Sequence, residues 1–252
     1  MKTNIEYCDP FDGEPENFWM KIEHCGRYLW AAERLSGEGC QSVADIACAT
    51  GYGSRILSEK INQVIGIDRS TDYIERARRS TREGHIRYLC LDLDQSQLAQ
   101  KLSDIDAVVC FETLEHLQHP LKALQEFHQC LRAKGLLLLS VPNERYEQLD
   151  ENGQNLDPFH LHIFSPDDVK NLLEQAGFSI LETLGQDICN RIVTRISKQD
   201  KAGLLSKEQA EKMWPHDEAG IRMLSRIFGC PDAKNPEESY SYLYVCQKKE
   251  LQ

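Results

Sequence analysis

The sequence predicts an α/β protein: a parallel sheet covered by helices on both faces. Three observations carry this. Short strand-like runs alternate with helical stretches along most of the chain. The runs are apolar throughout rather than every second residue, the mark of strands buried on both faces. The first run, in VADIACATGYGS, breaks into a turn of small residues, as the leading strand of an open α/β sheet does where it meets a ligand.

The segment ENFWMKIEHCGRYLWAAERL (16–35) predicts an amphipathic helix, with Phe18, Ile22, Leu29 and Leu35 roughly on one side. Strands are predicted at 42–48, 63–68, 86–92, 106–112 and 135–142. Helices are predicted near 52–60, 71–82, 95–101 and 119–132. A polar loop follows Pro142. The helix PDDVKNLLEQAGF comes next, with Ser165 as N-cap, Pro166 at its first position and Gly177 at its stop. FSILETLG (178–185) reads as a strand. Residues 186–237 are charged, helical in period and broken by Pro215, Pro231 and Pro236. SYLYVCQK (241–248) alternates as a closing strand.

Composition narrows the function. The 252 residues suit one domain with an insertion, and 41% hydrophobic content is enough for a core. No apolar stretch reaches membrane-spanning length, and the start lacks a signal-peptide apolar region, so a cytoplasmic protein without membrane contact is expected. The net charge of −11 counts against a nucleic-acid partner, which needs a basic face. The ten cysteines include no CxxC and no zinc spacing, so they are expected to be reduced core residues.

Three successive strands end on acids: Asp45, Asp68 and Asp92. An acid at the second strand end accepts ribose hydroxyls, and one at the third faces an adenine amino group, so together they describe a nucleoside clamp. The turn after Asp45 carries Ala47, Ala49, Gly51 and Gly53. Small residues let backbone N–H groups approach a ligand closely. The pattern is not GxGxxG, so the case for a dinucleotide is weak; the alternative is a ligand without pyrophosphate that presents an amino-acid end to the loop, and the acids separate the two only in part.

At these residues the chain resembles the class I S-adenosylmethionine-dependent methyltransferases, over roughly residues 20–185 and the final strand. VADIACATGYGS resembles that family's first motif, GID (66–68) its ribose-binding acid, and IDAVVCFETLEHL its fourth motif. LRAKGLLLLSVPN and FHLHIFSPDDVKNLLEQAGF resemble its later strand and helix. The resemblance implies seven strands in a Rossmann-like sheet, with the last antiparallel between the fifth and sixth. It implies S-adenosylmethionine as cofactor, held by Arg27, Asp45, Ala47, Cys48, Ala49, Gly51, Asp68, Arg69, Asp92, Leu93 and Phe111. Arg27 would pair with the methionyl carboxylate; alternatively Glu23 and Arg27 form a surface i,i+4 pair. The chain departs from the family at Ala47 and Ala49, where glycine is usual, and Ala49 is strained if its φ is positive. Ala133-Lys134-Gly135 replaces the usual Pro-Gly-Gly.

The family places the transferred methyl near FETLEHL (111–117). The reference pKa of histidine suits a general base for a hydroxyl acceptor, which makes His116 the candidate. If the segment opens a helix, Glu112 and Glu115 share a face and His116 lies next to Glu112. His160 or His162 would converge on the same mouth. Alternatively Glu112, Glu115, His116 and His160 hold a divalent metal, a set resembling that of certain RNA methyltransferases and the ubiquinone-pathway O-methyltransferases. A helix cap with a solvated face is the plain structural alternative.

The expected layout is an N-terminal helical cap (1–40), a methyltransferase core (41–185 with 238–252) and a helical insert (186–237). In the insert Trp214, His216, Met223 and Phe228 would line a substrate lid, an inner helix face or a dimer contact. The expected activity is O-methylation of a small molecule (sugar, phenol or natural-product intermediate), by a monomer or homodimer. N-methylation is the nearest alternative, and a non-catalytic cofactor-binding subunit a remote one. A nicotinamide oxidoreductase would need a GxGxxG loop and a Tyr/Lys-type pair, and neither is present.

Overall fold

A computed structural model describes residues 8–14, 17–82, 84–95, 98–147, 149–151, 155–186, 212, 214–233 and 236–250. Seven strands form one sheet in the order β3-β2-β1-β4-β5-β7-β6. They are β1 (Ser42–Ile46), β2 (Gln63–Asp68), β3 (Ile86–Cys90), β4 (Ile105–Phe111), β5 (Leu131–Pro142), β6 (Phe178–Gln186) and β7 (Ser241–Lys248). β1 through β5 pair in parallel. β7 runs antiparallel to both β5 and β6, as the resemblance implied. The order reverses between β1 and β4, the switch point where the strand ends splay and leave room for a ligand.

The central strands are apolar on both sides because both sides are covered. On β4, Ala107, Val109 and Phe111 face the layer built on α1 (Phe18–Gly37) and α2 (Tyr52–Ser58). Val108 and Cys110 face the opposite layer, built on α4 (Pro120–Cys130) and α5 (Pro166–Gln175). β5 and β7 divide in the same way, with Leu138 and Val245 on one face and Leu139 and Tyr244 on the other. This is the period-2 alternation of a strand with two apolar partners.

Helix ends follow their residues. Ser165 and Asp168 form a reciprocal capping box on α5, with Pro166 at its first position. Gly177 closes α5 at φ 89°. Ser70 caps α3 (Thr71–Ser80). α1 packs directly on the sheet through Ile22, Leu29 and Leu35. Gly26 makes that packing possible against the later turn Ser225–Gly229, because a Cβ on Gly26 would lie 2.3 Å from the Gly229 carbonyl carbon.

Three expectations are corrected. The helix near 95–101 is, within the described residues, a single 3₁₀ turn at Leu98–Gln100. Leu98 is drawn into the core, and the Glu126 carboxylate of α4 takes the Ala99 N–H at 2.9 Å. The helix expected at 119–132 stops at Cys130, and β5 starts at Leu131, which pairs with Ile105 before a turn with Lys134 at φ 58° resets the register. FETLEHL does not open an α-helix; only Leu114–His116 turn, as 3₁₀. No helix among the described residues is long and apolar enough to cross a membrane. All nine described cysteines are free thiols.

Most of the insert, residues 187–211 and 213, lies outside the described residues. Of its named aromatics, Trp214 and His216 pack on Phe18 of α1 at ring separations of 6.3 and 5.1 Å. Phe228 packs against the same core, whereas Met223, on α6 (Glu218–Leu224), is exposed.

Candidate active site

The loop after β1 and the ends of β2, β3 and β4 meet at the switch point. Ala47 and Ala49 both take positive φ, 55° and 47°, as does Gly51 at 78°. The left-handed region is the one in which an L residue is strained by about 1–2 kcal/mol, so alanine at 47 and 49 loads the loop where the family has glycine. Gly51 has no such latitude, because a Cβ there would meet the Tyr88 hydroxyl at 2.4 Å. Cys48 is buried beneath the loop, and burial pushes its thiol pKa well up.

Asp68 ties the loop to β2. Its carboxylate accepts from Ala49 N at 3.0 Å and from Ser70 N at 2.8 Å. Partial burial raises its pKa against the pull of those hydrogen bonds. Arg69 beside it is exposed. Asp92 lies past the end of β3, half-buried, with its carboxylate accepting from Asp94 N at 3.0 Å, and Leu93 sits beside it.

Asp45 is fully buried. Its two oxygens accept from Tyr28 Oη at 2.8 Å and Ser54 Oγ at 2.6 Å. Burial pushes its pKa up to about 7, against both hydrogen bonds. The carboxylate thus braces α1 and α2 beneath the loop. Tyr28 packs edge-on against Phe111, the last residue of β4, at 5.3 Å.

Arg27 and Glu23 are both buried, so they are not a surface pair. The Arg27 guanidinium donates from Nε to Gln186 Oε1 at 2.7 Å and from Nη1 to Ser140 Oγ at 3.2 Å. Nη1 also pairs with Glu112 Oε1 at 3.1 Å. Ser140 and Ser241 hydroxyls donate to the two Glu112 oxygens at 2.6 and 3.2 Å. Glu112, at φ 43°, is therefore drawn into this network and away from the histidines.

Glu115, His116 and His160 do come together, with one ligand atom from each lying within 4.8 Å of the others. Glu115 is 1% exposed, and neither of its oxygens has a hydrogen-bond partner. Burial, and then the Glu112 charge, push its pKa well above the carboxylate range. His116 Nδ1 lies 2.9 Å from the Phe159 carbonyl. A carbonyl only accepts, so Nδ1 carries the proton and Nε2 the lone pair. The His116 and His160 rings meet edge to face at 4.9 Å. His160 Nδ1 lies 2.9 Å from Glu147 Oε1. His162 is elsewhere, its Nε2 donating to Leu117 O at 2.9 Å and its ring stacked on Phe164.

Sequence reasoning passed over Tyr28, Ser140, Glu147 and Gln186. Their partners lie at sequence separations of 17, 113, 13 and 159, beyond any local motif. Tyr28, one residue from Arg27, and Ser140, in LRAKGLLLLSVPN, sat in stretches already singled out, without being marked themselves.

Residues 24–183 match the family model described as a methyltransferase domain. A Mycolicibacterium smegmatis protein named as a probable S-adenosylmethionine-dependent methyltransferase is 31% identical over 173 residues, 68% of this chain and 63% of its own length. The ubiquinone biosynthesis O-methyltransferase of Actinobacillus pleuropneumoniae (strain L20) is 28% identical over 122 residues, 46% of this chain and 52% of its own. The match thus spans between about half and just under two thirds of these relatives. Among solved structures, an S-adenosylmethionine-dependent methyltransferase from Mesorhizobium loti has a TM-score of 0.57 at 18% identity, covering 88% of this chain and 99% of that one. Magnesium protoporphyrin IX methyltransferase from Synechocystis PCC 6803, with its cofactor bound, has a TM-score of 0.54 at 14% identity, covering 92% and 85%. Both share the fold. With a methyltransferase-domain match over residues 24–183, a 31% identical relative covering 68% of the chain and a seven-stranded sheet of the expected order, this chain belongs to the class I S-adenosylmethionine-dependent methyltransferases.

Proposed function

We propose that this chain transfers the methyl group of S-adenosylmethionine to a hydroxyl of a small molecule, with His116 as the group that takes the proton. The observation that carries this is the Nδ1–H contact of His116 to Phe159 O, which leaves the lone pair on Nε2, 3.9 Å from Glu115 Oε1 just past the end of β4. The acceptor oxygen attacks the methyl carbon in line with the breaking C–S bond. The sulfonium leaves as the neutral thioether of S-adenosylhomocysteine, and the hydroxyl proton passes to Nε2. Asp68 would receive the ribose hydroxyls, Asp92 and Leu93 the adenine, and the amides of residues 47–51 the methionine end. Asp45 and Arg27 act from behind, the first bracing the loop and the second holding Glu112. The net charge of −11 favours a small acceptor over a nucleic acid.

One observation favours a second reading, in which a divalent cation assists. The buried Glu115 carboxylate has no hydrogen-bond partner, lies 3.9 Å from His116 Nε2 and near His160, and fits a cation of intermediate hardness. Glu115, His116 and His160 would hold it, and a bound cation would lower the pKa of the acceptor hydroxyl. Glu112 is outside this set.

Calorimetric titration with S-adenosylmethionine, S-adenosylhomocysteine and NAD tests the cofactor. The two adenosyl ligands should bind, NAD should not, and Asp68→Ala should abolish binding. Turnover of a hydroxylated acceptor should then fall at least about 100-fold in His116→Ala. Undiminished turnover in that variant rules out the base. Unchanged rates after chelation rule out the cation.

A further inference from the structure

We infer that Glu147 is the positioning residue for both histidines of the centre, an inference that rests on reading His116 and His160 as its working groups. Glu147 lies in the loop between β5 and α5, 13 residues before His160. The two side chains are nonetheless 9% and 10% exposed and 2.9 Å apart, Oε1 to Nδ1. A carboxylate accepts, so His160 donates from Nδ1, and in the neutral ring Nε2 is then the lone-pair nitrogen. The free histidine side chain prefers the opposite tautomer, with the proton on Nε2. The carboxylate therefore selects which nitrogen can meet a proton or a cation.

The second Glu147 oxygen reaches the other histidine through the loop. Asn155 Nδ2 donates to Glu147 Oε2. Asn155 Oδ1 accepts from Asp157 N at 2.9 Å, and Asp157 Oδ1 accepts from Phe159 N at 2.8 Å. Phe159 O in turn accepts from His116 Nδ1 at 2.9 Å. One continuous run of hydrogen bonds thus starts on the Nδ1 edge of His160 and ends on the Nδ1 edge of His116. Leu161 N and His162 N close the loop onto the Glu115 carbonyl at 2.9 and 3.2 Å. An ordinary buried ion pair would orient one ring. This arrangement sets the same tautomer on two, both close to the buried Glu115 carboxylate.

The test is the ring-nitrogen spectrum of isotope-labelled histidine in the full chain, loaded with S-adenosylhomocysteine and held at about pH 8, where an unperturbed imidazole is neutral. His116→Gln and His160→Gln identify the two signals. Both rings should be Nδ1–H tautomers in the wild type. Glu147→Ala should return His160 to the Nε2–H form, whereas Glu147→Gln, whose amide oxygen still accepts, should keep it. Mn²⁺ titration adds a second readout, with affinity falling about 10–100-fold in Glu147→Ala and much less in Glu147→Gln. A wild-type His160 that is Nε2–H or doubly protonated overturns the inference, as does an unchanged tautomer in Glu147→Ala. Should that variant not fold, Asn155→Ala must weaken the Nδ1–H preference of His116, and an unaltered spectrum overturns the inference equally. If Mn²⁺ fails to bind the wild type while the tautomers are as stated, the cation reading falls and the role of Glu147 stands. If the tautomers fail while His116→Ala still abolishes turnover, the role of Glu147 falls and the proposed function stands.

Discussion

Glu115→Gln should stabilise the protein at alkaline pH while disabling its centre. The carboxylate is 1% exposed, has no hydrogen-bond partner on either oxygen and feels the charge of Glu112. Its pKa in the fold is raised far above the unfolded value. Its stabilising contribution is therefore complete below about pH 4 and is lost as pH rises through the folded pKa. Ionised and without a hydrogen bond, such a buried group costs several kcal/mol. The glutamine amide in the same place still wastes hydrogen bonds, at about 1–3 kcal/mol. The difference leaves a gain of about 2 kcal/mol at about pH 8, or roughly 5 °C in Tm for a chain of this size. At about pH 5 the native carboxyl is itself neutral, and the two proteins should agree within about 0.5 kcal/mol. Urea denaturation in EDTA at both pH values measures this, the chelator removing any stabilisation by bound cation. A variant destabilised equally at both pH values refutes the reasoning, because Glu115 would then be satisfied by contacts rather than strained by charge.

Asp45, whose pKa is pushed up to about 7, should contribute a second loss of stability between about pH 4 and pH 7. Asp45→Asn should flatten that part of the pH–stability curve in the same urea series, even if its plateau is lower. Ala49→Gly relieves a left-handed alanine at φ 47° and should raise stability by about 0.5–1 kcal/mol, net of the extra freedom of unfolded glycine; a loss would mean that the methyl packs usefully. Gly26→Ala would drive a Cβ into the Gly229 backbone and should cost about 3 kcal/mol or more, read as a lower urea midpoint.

Much of the fold was legible because its signals are local. Apolar runs buried on both faces named β1, β2, β4 and β5, and the Ser165–Pro166 start and Gly177 stop bounded α5. The failures were also local in kind. The 95–101 stretch has a helix-like pattern, yet its one deeply buried side chain, Leu98, and the Glu126 carboxylate of another helix restrict it to a 3₁₀ turn. The helix expected from FETLEHL was excluded by β4 itself, since Glu112 leaves the strand with positive φ to reach Arg27 and Ser140.

The sequence alone determined the order of strands and helices, the small-residue loop at 45–53 and the acids at three strand ends, because each depends on neighbours in the chain. It also placed Glu115, His116 and His160 among the candidates. Only the tertiary structure decided which of them meet. It moved Glu112 into a buried network with Arg27, 85 residues away by subtraction of their positions. It left Glu115 without a hydrogen bond beside two imidazoles. It brought in Glu147, which no motif marks, to hold His160. Periodicity records which face of an element is apolar; which carboxylate reaches which base is set by how loops close over the strand ends, and that depends on packing between residues far apart in the chain.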